Sequence, residues 1–412
     1  MERISDVHLD AVRKYLRKQL ETIGELRDLV AQRYSWLPFP EPVKGSVYAV
    51  DGSRMMKRLS GAIIYAVSAA GIGENMYHWH EIGLVSPYKH VDERVRIHME
   101  ILEKRMGAML GEMGADLILI DGTLSGSIIR PPTYIGSNTD KLYDKHKDNL
   151  YALSNGFLKL LDRKWDEWKE RLESEGIINF PTLLSRGEAG KNIFEVLAEE
   201  GVSEARGDWW KEDEEDIVIF LEYLELLHAL DRLFAHNVAS IAKTFYRDDI
   251  VRSVSKERII PMLDAPVLDA LSPDRGYVPF QPQKEGEKTP TLIIDDLMDA
   301  GHFRNLLKVV DRKINGGKKT YSEKINPFYI RFVEGGVVYL LEIPGHQDPV
   351  RTIALILSVS EDEYVVPLEY AHHAVVIKKP EFEAYVNAIL SALVSEDERF
   401  LSFLRYGREP LE

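Results

Sequence analysis

Apolar residues recur at three- and four-residue steps along positions 5–34: Val7, Leu9, Val12, Leu16, Leu20, Ile23, Leu26 and Val30. Arg and Lys fill the other face, and the spacing predicts one long amphipathic helix. Pro38, Pro40 and Pro42 make a rigid connector that ends it. The pattern then changes to short apolar runs. Residues 46–51, 61–72 and 76–85 read as three strands, 91–113 as a helix and 115–121 as a fourth strand. Residues 140–235 are mainly helical and strongly charged: Leu158, Leu161, Trp165 and Trp168 mark one helix, and Ile219, Leu221, Leu224, Leu227, Leu230 and Leu233 another. Strand character returns at 238–243. Beyond it, 256–271 is helical or irregular and 276–290 is a loop. Runs at 291–294, 328–332, 337–343 and 352–357 follow, then a terminal helix near 380–405.

Two of the strand runs deliver an acid at their ends. Val47-Tyr-Ala-Val50 leads into Asp51-Gly-Ser, and Leu117-Ile-Leu-Ile120 into Asp121-Gly-Thr. The reading is that each Asp ends its strand and the following Gly and hydroxyl residue turn the chain. A carboxylate left dry and unpaired at a strand tip costs several kcal/mol, so each needs a cation or donors. Side by side, the two suit a divalent metal. Three strands, a helix, a strand, a helix and a strand, with acids ending the first and fourth strands, is the layout of an RNase H-like α/β fold. In that layout the first and fourth strands are neighbours, and a third acid comes from the helix between them. Glu100 and Glu103 both qualify; Glu100, with Arg96 one turn upstream, is favoured.

Composition narrows the class. A chain of 412 residues with 45% hydrophobic and 29% charged residues describes a globular protein with a large core. No apolar run is long enough to span a bilayer and no signal-peptide core follows the first residues, so a cytoplasmic location is expected. The absence of cysteine excludes disulfides, thiolate zinc sites and a cysteine nucleophile. A net charge of −15 argues against a surface coated in nucleic-acid contacts but leaves room for a local basic channel. Lys57, Arg58, Arg94, Arg96 and Arg130 lie near the candidate strand ends.

Other signals are weaker. His78 and His80 share one strand face, without a third ligand in view. Gly187 to Lys191 lacks the glycine spacing and preceding strand of a phosphate loop. Trp209-Trp210, beside the acidic run 212–216, is either an exposed partner patch or a buried anchor. Lys243, ending a later strand, either neutralises a scissile phosphate or is a surface lysine. Asp264, Asp269 and the Asp295-Asp296 pair are further acids without an assigned role.

The third constellation is Tyr364-Val-Val-Pro-Leu-Glu-Tyr-Ala-His372-His373. Asp51-Gly-Ser, Asp121-Gly-Thr and this segment, in this order and at these distances, resemble the NurA family of archaeal and bacterial nucleases over residues 45 to 378. The resemblance implies an RNase H-like DNA nuclease that depends on Mn²⁺, with Mg²⁺ as the alternative. It implies 5′-to-3′ exonuclease and single-strand endonuclease activity, a homodimer, and a hexameric HerA-type ATPase as partner in DNA end resection. Carried over, Asp51, Asp121 and a helical glutamate resemble the metal carboxylates, His372 the metal-site histidine and Tyr364 the active-site tyrosine. The chemistry agrees: a neutral imidazole ligates Mn²⁺ or protonates a leaving group, and a tyrosine bonds a phosphate or stacks on a base. Residues 1–40 then form a helix and linker, and 41–412 the nuclease domain with an insertion at 140–235. The alternatives are an inactive RNase H-like scaffold for an ATPase, and an actin-like phosphotransferase, which lacks a convincing second phosphate loop here.

Overall fold

The computed structural model describes residues 6–129, 132–188, 190–255, 262–280, 300–315 and 318–404. The chain opens with helix α1 (Asp6–Ala31). Three antiparallel strands follow: β1 (Val47–Arg58), β2 (Ile63–Ile72) and β3 (Met76–Val85). Helix α2 (Val91–Glu112) leads to β4 (Leu117–Asp121). Next come α3 (Leu124–Ile129), the long α4 (Pro132–Glu175, broken at His146), the two-residue β5 (Ile177–Ile178), α5 (Ile193–Glu199) and α6 (Glu214–Leu233). Then β6 (Val238–Ala242), α7 (Asp249–Ser255), α8 (Asp264–Leu271) and β7 (Gly276–Pro279). The last third holds the hairpin β8 (Val310–Asn315) and β9 (Lys318–Glu323), then β10 (Ile325–Arg331) and β11 (Tyr339–Pro344). After α9 (Pro349–Leu357), the short β12 (Ser360–Glu361) and β13 (Tyr364–Val365) lead into α10 (Val366–Val375) and α11 (Lys379–Glu396).

One nine-stranded mixed sheet runs β5-β3-β2-β1-β4-β6-β11-β10-β7. Its middle, β3-β2-β1-β4-β6, has the RNase H-like arrangement: β1 to β3 antiparallel, β4 parallel to β1, and β6 parallel to β4. Side-chain alternation divides two cores. Tyr48, Val50, Ile118 and Ile120 point to the side covered by α2, α4 and α6. Val47, Ala49, Leu117 and Leu119 point to the side covered by α9 and α10. Among the described residues, no helix is long and apolar enough to cross a membrane.

Several expectations are corrected. The strand carrying Asp51 does not end there. It pairs with β4 only through Val50 but continues beside β2 to Arg58, so Gly52 and Ser53 are strand residues. The run at 352–357 belongs to a helix, capped by Asp348, whose side chain accepts the Val350 N–H at 2.9 Å. Part of the expected 276–290 loop is strand β7. Arg130, the 291–294 run and Asp295-Asp296 lie outside the described residues. Trp209 and Trp210 are anchors: Trp210 stacks on Phe194 with ring centroids 4.0 Å apart, and each indole N–H donates to a backbone carbonyl.

Candidate metal centre

Asp51 is the first residue of β1 beyond its pairing with β4. The last parallel pair is Val50 with Ile120, and Asp121 ends β4 one step on. By alternation both aspartates follow Ala49 and Leu119 to the α10 side of the sheet. There α10, lying across β1 and β2, lowers His372 onto Asp51, with Nδ1 2.9 Å from Oδ2. Asp51, Asp121 and His372 each offer a ligand atom within 4.8 Å of the others, the one such group of three or more among the described residues.

The surroundings are cationic and aromatic. Lys243 follows β6 directly, and its Nζ stands 4.2 Å from the ring centroid of Tyr364. Burial and the neighbouring Asp51 charge raise the Asp121 pKa, opposed by Lys243 and His372. Burial, then Asp121, raises the Tyr364 phenol as well. The buried Tyr364 Oη has no hydrogen-bond partner within the protein, so it is open to a water or a phosphate oxygen. Two carboxylates and an imidazole are hard oxygen and borderline nitrogen donors, which fits Mn²⁺ or Mg²⁺. The fit rests on this donor set.

The helix-borne glutamates separate by environment. Gly52 faces α2, and a Cβ there would come within 2.9 Å of Met99 Cγ. Gly71 similarly faces Met106 and Leu110. Glu103, four residues after Met99 and three before Met106, therefore lies on the sheet-facing stripe of α2. Burial, opposed by Lys104 but reinforced by the Asp51 and Glu100 charges, lifts its pKa to about 7. Glu100 is buried too and lies 3.9 Å from Arg96. Neither glutamate joins the three-residue group. His78 and His80 stack on one strand face, centroids 5.6 Å apart, outside that group. Asp264 accepts from Ile250 N, Val251 N and the Tyr329 hydroxyl, and Asp269 pairs with Arg331.

The NurA domain family matches residues 45–377, a span that contains every residue of this centre. The chain belongs to the NurA family. The DNA double-strand break repair nuclease NurA of Pyrococcus furiosus is 29% identical over 473 residues, with 100% of both chains covered. A crystal structure of NurA bound to dAMP and manganese is similar at a TM-score of 0.71 and 26% identity, covering 94% of this chain and 98% of that one. The NurA nuclease from Sulfolobus solfataricus shares the fold, with a TM-score of 0.56, 17% identity, and coverage of 96% and 99%.

Sequence reading missed what holds the Asp121 loop of this NurA fold. Gly122 N donates to Ile241 O, Leu124 N to Ser240 Oγ, and Ser125 N and Oγ to the fully buried Glu342, which also takes Arg247 Nη2 at 2.7 Å. The available signal was Glu342 itself, an acid inside the apolar run 337–343. For Glu103 a pH effect is expected. Its folded pKa of about 7 exceeds that of an unfolded glutamate. Its stability contribution is therefore full below the unfolded pKa and lost as pH rises through about 7. Metal-free protein should unfold at lower denaturant at pH 8 than at pH 5.5, and Glu103→Gln should shrink that difference. An unchanged difference would assign it to Glu81, also raised to about 7 by burial.

Proposed function

We propose that this protein is a divalent-metal-dependent DNA nuclease. The observation that carries the reading is the convergence of Asp51, Asp121 and His372 from three distant segments, with Lys243 and Tyr364 beside them. Asp51, Asp121 and His372 would hold the cation, and Glu103 or Glu100 would add a carboxylate from α2. A bound Mn²⁺ or Mg²⁺ supplies Lewis acidity toward a phosphate oxygen and a water of lowered pKa. Lys243 places a positive charge where a phosphodiester would approach, offsetting the charge that develops in the transition state. Its position over the Tyr364 ring keeps the ammonium directed at the site. Tyr364, whose hydroxyl has no hydrogen-bond partner within the protein, would donate a hydrogen bond to a non-bridging phosphate oxygen. In any arrangement where it is not a ligand, a doubly protonated His372 would keep Nδ1–H toward Asp51 and give its Nε2 proton to a leaving oxygen, returning to the neutral imidazole.

The finer reading follows the family. We infer 5′-to-3′ exonuclease and single-strand endonuclease activity in DNA end resection, a homodimer, and a HerA-type hexameric ATPase as partner, within the cytoplasm. Residues 41–412 act as one nuclease unit, with 140–235 elaborating it. Support for partner contact comes from α1. Leu26 and Val30 pack against the body, whereas Leu9, Val12, Leu16 and Leu20 stay exposed at helical spacing. The acidic run supports it less, because Asp213, Glu215 and Asp216 pair with Lys145, Arg94 and Lys89 of the same chain.

The test is digestion of end-labelled single- and double-stranded DNA with Mn²⁺, Mg²⁺ or EDTA. Metal-dependent cleavage, abolished by EDTA, is expected, and the product ladder gives polarity. Folded protein that fails to cut with either metal, with or without the ATPase, would reject the enzyme reading.

A further inference from the structure

His372 reaches Asp51 from α10, which lies across β1 and β2. Its C-terminal end is gripped by two hydroxyls on adjacent strands. Ser53 on β1 and Ser68 on β2 are direct partners in the antiparallel register, two residues along from the Asp51–Ala70 pair. Ser68, fully buried, donates through Oγ to the Val375 carbonyl at 3.0 Å. The Ile377 N–H donates to Ser53 Oγ over a longer 3.5 Å. Val375 is the last residue of α10, and its carbonyl is among those a helix cannot satisfy internally. An acceptor and a donor from the helix exit are thus met by facing hydroxyls.

Packing does not require these hydroxyls. Ala69 and Ala70 follow Ser68 in a strand buried along its whole length, and a methyl group there needs no partner, whereas a buried hydroxyl does. No side chain caps the N-terminus of α10, so that end is held through the buried Tyr364 and Val365 of the preceding strand. Val375 lies one turn beyond His372. A shift of the exit end therefore swings the imidazole relative to Asp51.

We propose that Ser68, assisted by Ser53, is a positioning residue that sets His372 over Asp51. The proposal rests on Asp51, Asp121 and His372 forming the metal site. The experiment is a Mn²⁺ titration, read by the electron paramagnetic resonance of free Mn²⁺. It compares wild type, Ser68→Ala, His372→Ala and the double variant, with a thermal unfolding curve for each. Ser68→Ala should weaken Mn²⁺ binding by up to about tenfold, the lower bound for losing a bond made directly to a ligand, because Ser68 acts on His372 through the Val375 carbonyl. The same substitution should have no further effect once His372 is alanine. Equal weakening in both backgrounds marks a general structural role and overturns the proposal, as does unchanged affinity in Ser68→Ala. The half-buried Ser53→Ala carries the same cycle, with a smaller effect, should Ser68→Ala fail to fold. Wild type that binds no Mn²⁺ at millimolar concentration overturns the metal-site reading itself and the proposal with it.

Discussion

Alanine at Asp51 or Asp121 should lower metal-dependent DNA cleavage by on the order of a thousandfold or more, with the fold intact. Each carboxylate comes from a different strand, and the two meet with His372 inside 4.8 Å, so removing one takes away an anionic donor, weakens the hold on the cation and displaces it from its reactive position. The same geometry predicts the opposite sign for stability. Without metal, burial and the Asp51 charge disfavour ionised Asp121. Asp121→Asn removes that repulsion and should raise the metal-free unfolding midpoint even as activity disappears. Loss of activity with a stable or stabilised fold separates a site residue from a structural one. Full activity in either alanine variant would refute the shared site.

The largest loss of stability should come from Glu222→Ala, about 3–5 kcal/mol as for other broken buried ion pairs. Glu222 on α6 is fully buried. It accepts Arg94 through two bonds of 2.9 and 2.8 Å, and Arg186 at 3.4 Å; His98 Nε2 lies 3.1 Å away. Burial alone would raise its pKa, but His98 and Arg94 outweigh burial and hold the carboxyl well below the usual range. Its contribution is present above the unfolded pKa and is lost only as pH falls through that low folded value. Alanine leaves the buried Arg94 without its main anion, tying α2 less firmly to α6. Guanidinium unfolding of the variant at pH 7 measures this directly, and a loss below about 1 kcal/mol would contradict the central role given to the pair.

Much of this was readable from the chain because periodicity and burial agree. The β4 run ends at Asp121 as its pattern says, and the helix at 91–113 differs from α2 by one residue. Gly52 misled because a glycine inside a strand looks like a turn. Here it marks close approach, with Met99 of α2 filling the space a side chain would need. The run at 352–357 misled because five apolar residues after Thr352 carry no decisive period; the Asp348-Pro349 start of a helix was the better signal. Spacing on α2 could not separate Glu100 from Glu103, since one turn apart they share a face. Their difference lies in which neighbours the sheet presents, a tertiary fact. The grip of Ser68 on Val375 spans 307 residues of sequence and left no local trace beyond a hydroxyl in an apolar strand.

The distance along the chain between Asp51 and His372, 321 residues, has a consequence in time. During synthesis the N-terminal strands and their two aspartates emerge and pair long before the imidazole exists. A chain that ends before β13 contains Asp51 and Asp121 but lacks Tyr364, His372 and the covering helix. The proposed centre is therefore incomplete until the last tenth or so of the chain has been made, and a truncated chain is expected to lack metal-dependent cleavage.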